Sequence, residues 1–253
     1  KNFSRGLSLE RNAAFDANFL TAQILDSVID VMIALLASSH VVHRSVAIKG
    51  IRNMARSTKE LEHNPEVIRL LLEGIHNGDD DDKVHALLAL EAISNNKTYI
   101  DTLGKQGCVE ELHEILKPES TAIPEAKACG FHILKSLSFS PLCQEKIVSI
   151  GFLPILVSTQ LSGPLERIID VAHCIVNIAA QEMHAHELRT SGGLNLLMTG
   201  FKDLSSPVAA LCLEGVSIAA RLRCHQQYLR DVGAYMSLSQ ACRMGTVNQK
   251  DLA

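Results

Sequence analysis

The 24 Lys and Arg residues are interspersed among 28 Asp and Glu over 253 residues, for a net charge of −4, so no basic stripe offers itself to a phosphate backbone and a nucleic-acid partner is not expected. Aromatic residues make up 4% and Trp is absent, which suits close helix-on-helix packing of Leu, Ala, Ile and Val better than a β-sandwich. No apolar run reaches the roughly 18 residues needed to span a bilayer.

In chain order, the opening from about Leu7 to Ala37 is a long helical pattern, with apolar residues at Phe15, Phe19, Leu20, Ile24, Val28, Val31, Met32 and Leu35 and a break near Asp26-Ser27. His40 to Ser57 gives a second helix whose apolar side is predicted to carry Val42, Val46, Ala47, Gly50, Ile51 and Met54. Lys59 to Gly78 holds a short helix, a break at Asn64-Pro65 and the apolar helix VIRLLLEGI, with Pro65 suited to a first helical turn. The acidic run Asp79–Asp82 then precedes a helix starting near Lys83, where negative charge caps free N–H groups and favours the helix dipole.

Beyond residue 97 the pattern becomes periodic. Gly107, Gly151, Gly193 and Gly233 each follow a short polar helix and precede an apolar one, at separations of 44, 42 and 40 residues. A repeat of this length is the signature of a helical solenoid, and glycine suits the sharp turn because a Cβ would clash at positive φ. Third helices are predicted at Ile123–Phe139, Leu165–Ala180 and Pro207–Arg223. The stretch AYMSLSQACRMG after Gly233 is one more helix, belonging either to a cap or to an incomplete unit. The sequence begins at Lys1 rather than Met, and we expect a piece of a longer chain.

Three helices per unit, a period near 42, the glycine before the second helix and third helices of the form ILKSLS, CIVNIA and GVSIAA together resemble the armadillo repeat. HEAT repeats are the close structural alternative. The resemblance implies an all-α, right-handed α-solenoid of about five to six three-helix repeats. It forms a single domain over 1–253, with units at 8–57, 58–96, 97–140, 141–181, 182–224 and an incomplete or capping unit at 225–253. It also implies a concave groove, lined by the third helices, that takes extended peptides or helices of partner proteins. The family's peptide-clamping Asn maps onto Asn53, Ala92, Ser136, Asn177 and Ser217, and only two of these keep the Asn. The Trp of nuclear-import adaptors maps onto Lys49, Leu88, His132, His173 and Leu213, so the stacked lysine pockets of those adaptors cannot form.

A chain of armadillo units alone, opening on KNFSRGLSLE, also resembles the armadillo-repeats-only family of apicomplexan parasites. That resemblance implies an adaptor on the cytosolic face of the rhoptry, a secretory organelle. It would be anchored by myristate and palmitate on an N-terminal segment upstream of Lys1 and would recruit a myosin motor and signalling enzymes to position the organelle. Two acyl groups would be needed because one myristoyl chain binds membranes only marginally.

Candidate site residues follow from helix faces. Lys49, Arg52, Asn53 and Arg56 fall at i, i+3, i+4 and i+7 on one face, and Leu88, His132, Ser136, His173, Asn177, Leu213, Ser217 and Arg221 continue the line onto later units. The expected groove is basic at its N-terminal end and mixed further on. His132 and His173, about one helix spacing of roughly 8–10 Å apart, are too distant to share a metal without a third group. His184 and His186, two residues apart, read as polar surface. The seven cysteines are odd in number, lack a CxxC pair and mostly occupy apolar positions, which favours a reducing, cytosolic compartment. No nucleophile elbow, phosphate-cradling loop or HExxH is present. The sequence is thus expected to encode a monomeric, non-catalytic protein-binding scaffold without cofactor or metal. Its rivals are a soluble cytosolic or nuclear transport adaptor and a regulatory solenoid fragment of a larger protein.

Overall fold

The computed structural model describes residues 27–38, 40–57, 65–158 and 163–244. The predicted helix up to residue 26, the short helix before Pro65 and the side chain of Arg56 lie outside the described residues. All regular structure among the described residues is helical. They fall into two compact units that divide between Ala92 and Ile93.

The first unit holds α1 (27–36), α2 (Val41–Ser57), α3 (Pro65–Asn77) and most of α4 (Asp80–Ser94). Pro65 opens α3, and the helix buries Val67, Ile68, Leu70, Leu71, Leu72 and Ile75 while Arg69 pairs with Glu66 and Glu73 on its wet face. Glycine lets α1 and α2 approach closely, since a Cβ at Gly50 would stand 2.8 Å from Met32 Sδ. The covered face of α2 carries Ala47, Ile48 and Ile51. Val42 and Val46, expected on that face, are instead 71% and 53% exposed, because the helix is turned so that Ile48 reaches toward Gly74 of α3. Helix α4 begins three residues earlier than predicted. Asp79 is its cap, accepting the Asp82 N–H at 2.8 Å, and Asp80, Asp81 and Asp82 form its first turn.

The second unit repeats one three-helix motif. Helices α5 (Lys97–Lys105), α6 (Cys108–Leu116) and α7 (Pro124–Leu137) are followed by α8 (Pro141–Ile150), α9 (Phe152–Ser158) and α10 (Leu165–Ala179). A 3-10 turn over Glu182–His184 leads into α11 (Ala185–Thr190), α12 (Gly193–Gly200) and α13 (Ala209–Arg221), and α14 (Arg223–Asp231) and α15 (Ala234–Met244) complete the unit. Asn96 and Ser140 cap α5 and α8 through their side-chain oxygens. The first-to-second helix turns sit on Gly107, Gly151, Gly192 and Gly233, all at positive φ. The third of these corrects the expectation of Gly193, which opens α12 with its Cα against Leu188. With Gly192 in place, the last two intervals both become 41 residues.

The third helices stack side by side, α10 between α7 and α13. The 41-residue interval carries through their cores: Phe131, Ala172 and Leu213 are buried at equivalent positions, as are Leu134, Ile175 and Val216, and Leu137, Ile178 and Ala219. At Gly215 a Cβ would stand 2.6 Å from Val176 and 2.8 Å from Leu197, so glycine sets how closely α13 meets α10 and α12. Among the described residues no single helix is long and apolar enough to cross a membrane, and the apolar pair α8–α9 is bent by 79°.

Candidate protein-binding faces on the third helices

In the first unit, α2 carries Arg44, Lys49, Arg52 and Arg56 and no acidic residue. Lys49 and Asn53 are exposed, Arg52 is half-buried, and Leu88 is half-buried on α4. Arg44 reaches to 3.9 Å from Asp82, whose carboxylate is 2% exposed. Burial first and Asp79 second push the Asp82 carboxyl above its ordinary range, and Arg44 opposes them only in part. The exposed stripe of α2 therefore joins Val42 and Val46 to Lys49 and Asn53, an apolar segment followed by a polar, basic one.

In the second unit, the corrected interval decides which residues face outward. His132 and His173 are half-buried, and the residue that follows them at 41 is Glu214, which is exposed. Leu213, predicted for that place, is 0% exposed and belongs to the core. In the same way Ser136 and Asn177 are followed by Ile218 rather than Ser217. Ser136 itself is 6% exposed and cannot line an open surface. Arg221 is exposed at the end of α13.

Two polar networks fix the third helices to one another. Asp170 of α10, 5% exposed, accepts a bond from Lys135 Nζ at 2.7 Å and lies 3.4 Å from His132 Nδ1, both on α7. Burial alone would push its carboxyl up, but the bonds from His132 and Lys135 outweigh burial and hold it below the ordinary aspartate range. Asn177 donates through Nδ2 to Ser138 Oγ at 2.8 Å, and Gln144 of α8 donates to the Ser138 and Asn177 carbonyls at 2.7 and 3.3 Å. One N–H of the Asn177 carboxamide is thus committed to Ser138 at the end of α7, which makes the residue part of the joint between α7 and α10.

Between α10 and α13 lies a cleft of about 490 Å³. It is lined by Ile169 and His173 from α10, by Pro207 and Val208 just before α13, and by Ala210, Leu211 and Glu214 from α13, so aliphatic and polar surface share it about equally. Burial first, and the Lys135 charge second, lower the basicity of His173, so its imidazole is neutral at neutral pH. Ile169, Leu211 and Glu214 were not legible as site residues. The i, i+4 spacings Ile169–His173 and Ala210–Glu214 are the signals that could have found them.

The remaining reactive groups divide between the core and the surface, where Cys242 is exposed. Cys108, Cys143, Cys174 and Cys212 are buried, and all seven cysteines are free. Burial pushes the Cys174 and Cys212 thiols up to about 12, which keeps them protonated and poor as nucleophiles. His184, expected at the surface with His186, is 4% exposed; it sits beside buried Ala185 and Leu188, and His186 alone is exposed. Among the described residues no group of three or more His, Cys, Asp or Glu side chains converges as a metal site would require.

No protein-family model and no curated protein matches the sequence. Solved structures do match the fold. A computationally designed armadillo repeat protein for modular peptide recognition aligns with a TM-score of 0.75 at 19% identity, covering 87% of this chain and 95% of that one. A second designed armadillo repeat protein aligns at 0.74 and 18%, covering 87% and 94%. A third, in complex with the peptide (KR)4, aligns at 0.72 and 17%, with the same coverage. At these identities the likeness shows the fold alone: an all-α, armadillo-like repeat solenoid built from three-helix units.

Proposed function

We propose that the protein is a non-catalytic scaffold whose third helices bind an extended peptide or helix of a partner protein. The observation that carries this reading is the cleft between α10 and α13, where aliphatic side chains, the His173 imidazole and the exposed Glu214 carboxylate meet on the third helices. The armadillo-type neighbours support it, since one was designed for peptide recognition and another holds a peptide. Repeat folds of this kind expose such faces for partners. The valine and basic stripe of α2 offers the first unit a surface of its own.

The resemblance to the armadillo-repeats-only family supports the finer reading: a cytoplasmic, monomeric adaptor held by an acylated N-terminus on the cytosolic face of the rhoptry, where it recruits a myosin motor and signalling enzymes and so positions the organelle. Affinity purification from native cells tests the scaffold, comparing wild type with Lys49→Glu and Glu214→Lys, each at an exposed position. Loss of partners in either folded variant supports it, and an unchanged set with both moves binding to another face. Fractionation of the full-length protein tests the anchor. Membrane recovery that is abolished by blocking myristoylation is expected, and recovery in the soluble fraction removes the rhoptry reading while leaving the scaffold.

A further inference from the structure

Cys143, His184 and His225 recur at the 41-residue interval, each three residues past the N-cap positions Ser140, Gln181 and Leu222 of successive layers, and all three are buried. Their chemistry differs. Burial pushes the Cys143 thiol up, so it stays uncharged, and it donates to the Ile100 carbonyl at 3.5 Å. The imidazoles are less well served: His184 Nε2 and both ring nitrogens of His225 meet no hydrogen-bond partner, although these residues are 4% and 0% exposed. Such a ring is tolerated only while neutral, since protonation makes both nitrogens donors without an acceptor and puts a charge out of reach of water. Arg189 of α11 adds to that penalty at His225, because its guanidinium donates to the neighbouring Cys224 carbonyl. Burial first and Arg189 second lower the basicity of His225, and Glu182 of the 3-10 turn opposes them only in part. No charged group among the described residues of α13, α14 or α15 acts on the ring.

The same ring carries much of the packing of its layer. Helix α14 buries His225 and Leu229, α15 adds Ala234 and Ala241, and the pair packs chiefly on α13 and α11. In a repeat fold each layer is held by its neighbours and can open separately. We propose that His225 is an acid-sensitive latch: while its ring is neutral α14 and α15 stay closed on α11 and α13, and its protonation opens that layer while α7 and α10 stay folded. The folded ring takes a proton less readily than a free imidazole, which titrates at about 6.5. Closure is therefore complete above that value and weakens as pH falls below it, by about tenfold per pH unit for one proton. The joint between α7 and α10 outlasts the latch, because Asp170 is held below the ordinary aspartate range and keeps its bonds down to a pH of about 4. Between about pH 4 and 6.5 the α14–α15 layer opens beside an intact Lys135–Asp170 pair.

Hydrogen exchange of the full-length protein, read by mass spectrometry from about pH 7.5 to about pH 5 and normalised for the intrinsic pH dependence of exchange, tests the latch. Protection of the α14 and α15 amides should fall about tenfold per pH unit below about 6.5, with α7 and α10 unchanged. In His225→Leu, and in His225→Cys, which places the residue of the α8 layer there, protection of α14 should stay flat over that range. The imidazole resonances of His225 in wild type should keep the neutral form for as long as α14 is protected, and this reading decides alone should either variant loosen α14 at neutral pH. Protection that is flat in wild type, or that falls as steeply in both variants, overturns the latch. So does a His225 ring that titrates near 6.5 with α14 still closed. A loss that α7 and α10 share overturns it in favour of general acid unfolding.

Discussion

Leu213 and Glu214 are neighbours in sequence with opposite fates, and exchanging either for alanine measures the register of α13. Leu213 is fully buried in the core. Leu213→Ala removes three carbons, worth about 2.4 kcal/mol of transfer free energy at roughly 0.8 kcal/mol each. A residual cavity adds to that, giving a cost of about 3 kcal/mol within the usual range for buried leucine. For a chain of this size the melting temperature should fall by about 6–12 °C. Glu214→Ala, at an exposed position, should move stability by no more than about 0.5 kcal/mol. Thermal and urea unfolding followed by circular dichroism read both. A Leu213→Ala protein that melts like wild type, beside a Glu214→Ala protein that melts early, would refute the assignment and return Leu213 to the surface.

Other consequences are equally direct. Gly151 holds φ +95, and a Cβ added there would meet nothing within 4 Å, so Gly151→Ala should cost about 1–2 kcal/mol from backbone conformation alone, and Gly151→Asn should recover part of it. Thermal unfolding of the two variants reads the difference. Asp170→Asn should cost about 1.5 kcal/mol at neutral pH through the weakened bonds to Lys135 and His132. Because the folded carboxyl is held below its unfolded value, that stabilisation is complete above an unfolded pKa of about 4 and is lost as pH falls below it; urea titrations should show wild type and variant converging in acid. Asp82 has the opposite sign. Its raised folded value means that ionisation destabilises the fold as pH rises above about 4, so Asp82→Asn should raise the melting temperature at neutral pH.

Helix periodicity made the architecture legible. Pro65, the Asp79–Asp82 run and the glycine turns each marked an element boundary to within a few residues. What the sequence could not settle was rotation about a helix axis, where one residue of slip turns a side chain by roughly 100°. The dipeptide Gly192-Gly193 made the turn ambiguous by one position, and α13 carries the matching slip from Leu213 to Glu214. Equal intervals of 41 through Gly151, Gly192 and Gly233 would have chosen correctly. On α2, both the Val42–Val46 and the Ala47–Ile51 faces are apolar, and only Ile48 against Gly74 shows which is covered. Lys135 and Asp170 are 35 residues apart, so their bond, like the cleft floor contributed by Val208, depends on packing that no local pattern encodes.

The central claim is that partners bind on the third-helix face. A photo-crosslinking amino acid placed in the full-length protein at Glu214 of α13, and separately at the exposed Glu187 of α11 and Lys105 of α5, tests it in native cells. Partner adducts should form from position 214 and not from 187 or 105. Adducts from 187 or 105 with none from 214 would contradict the account and place the partner on the first helices.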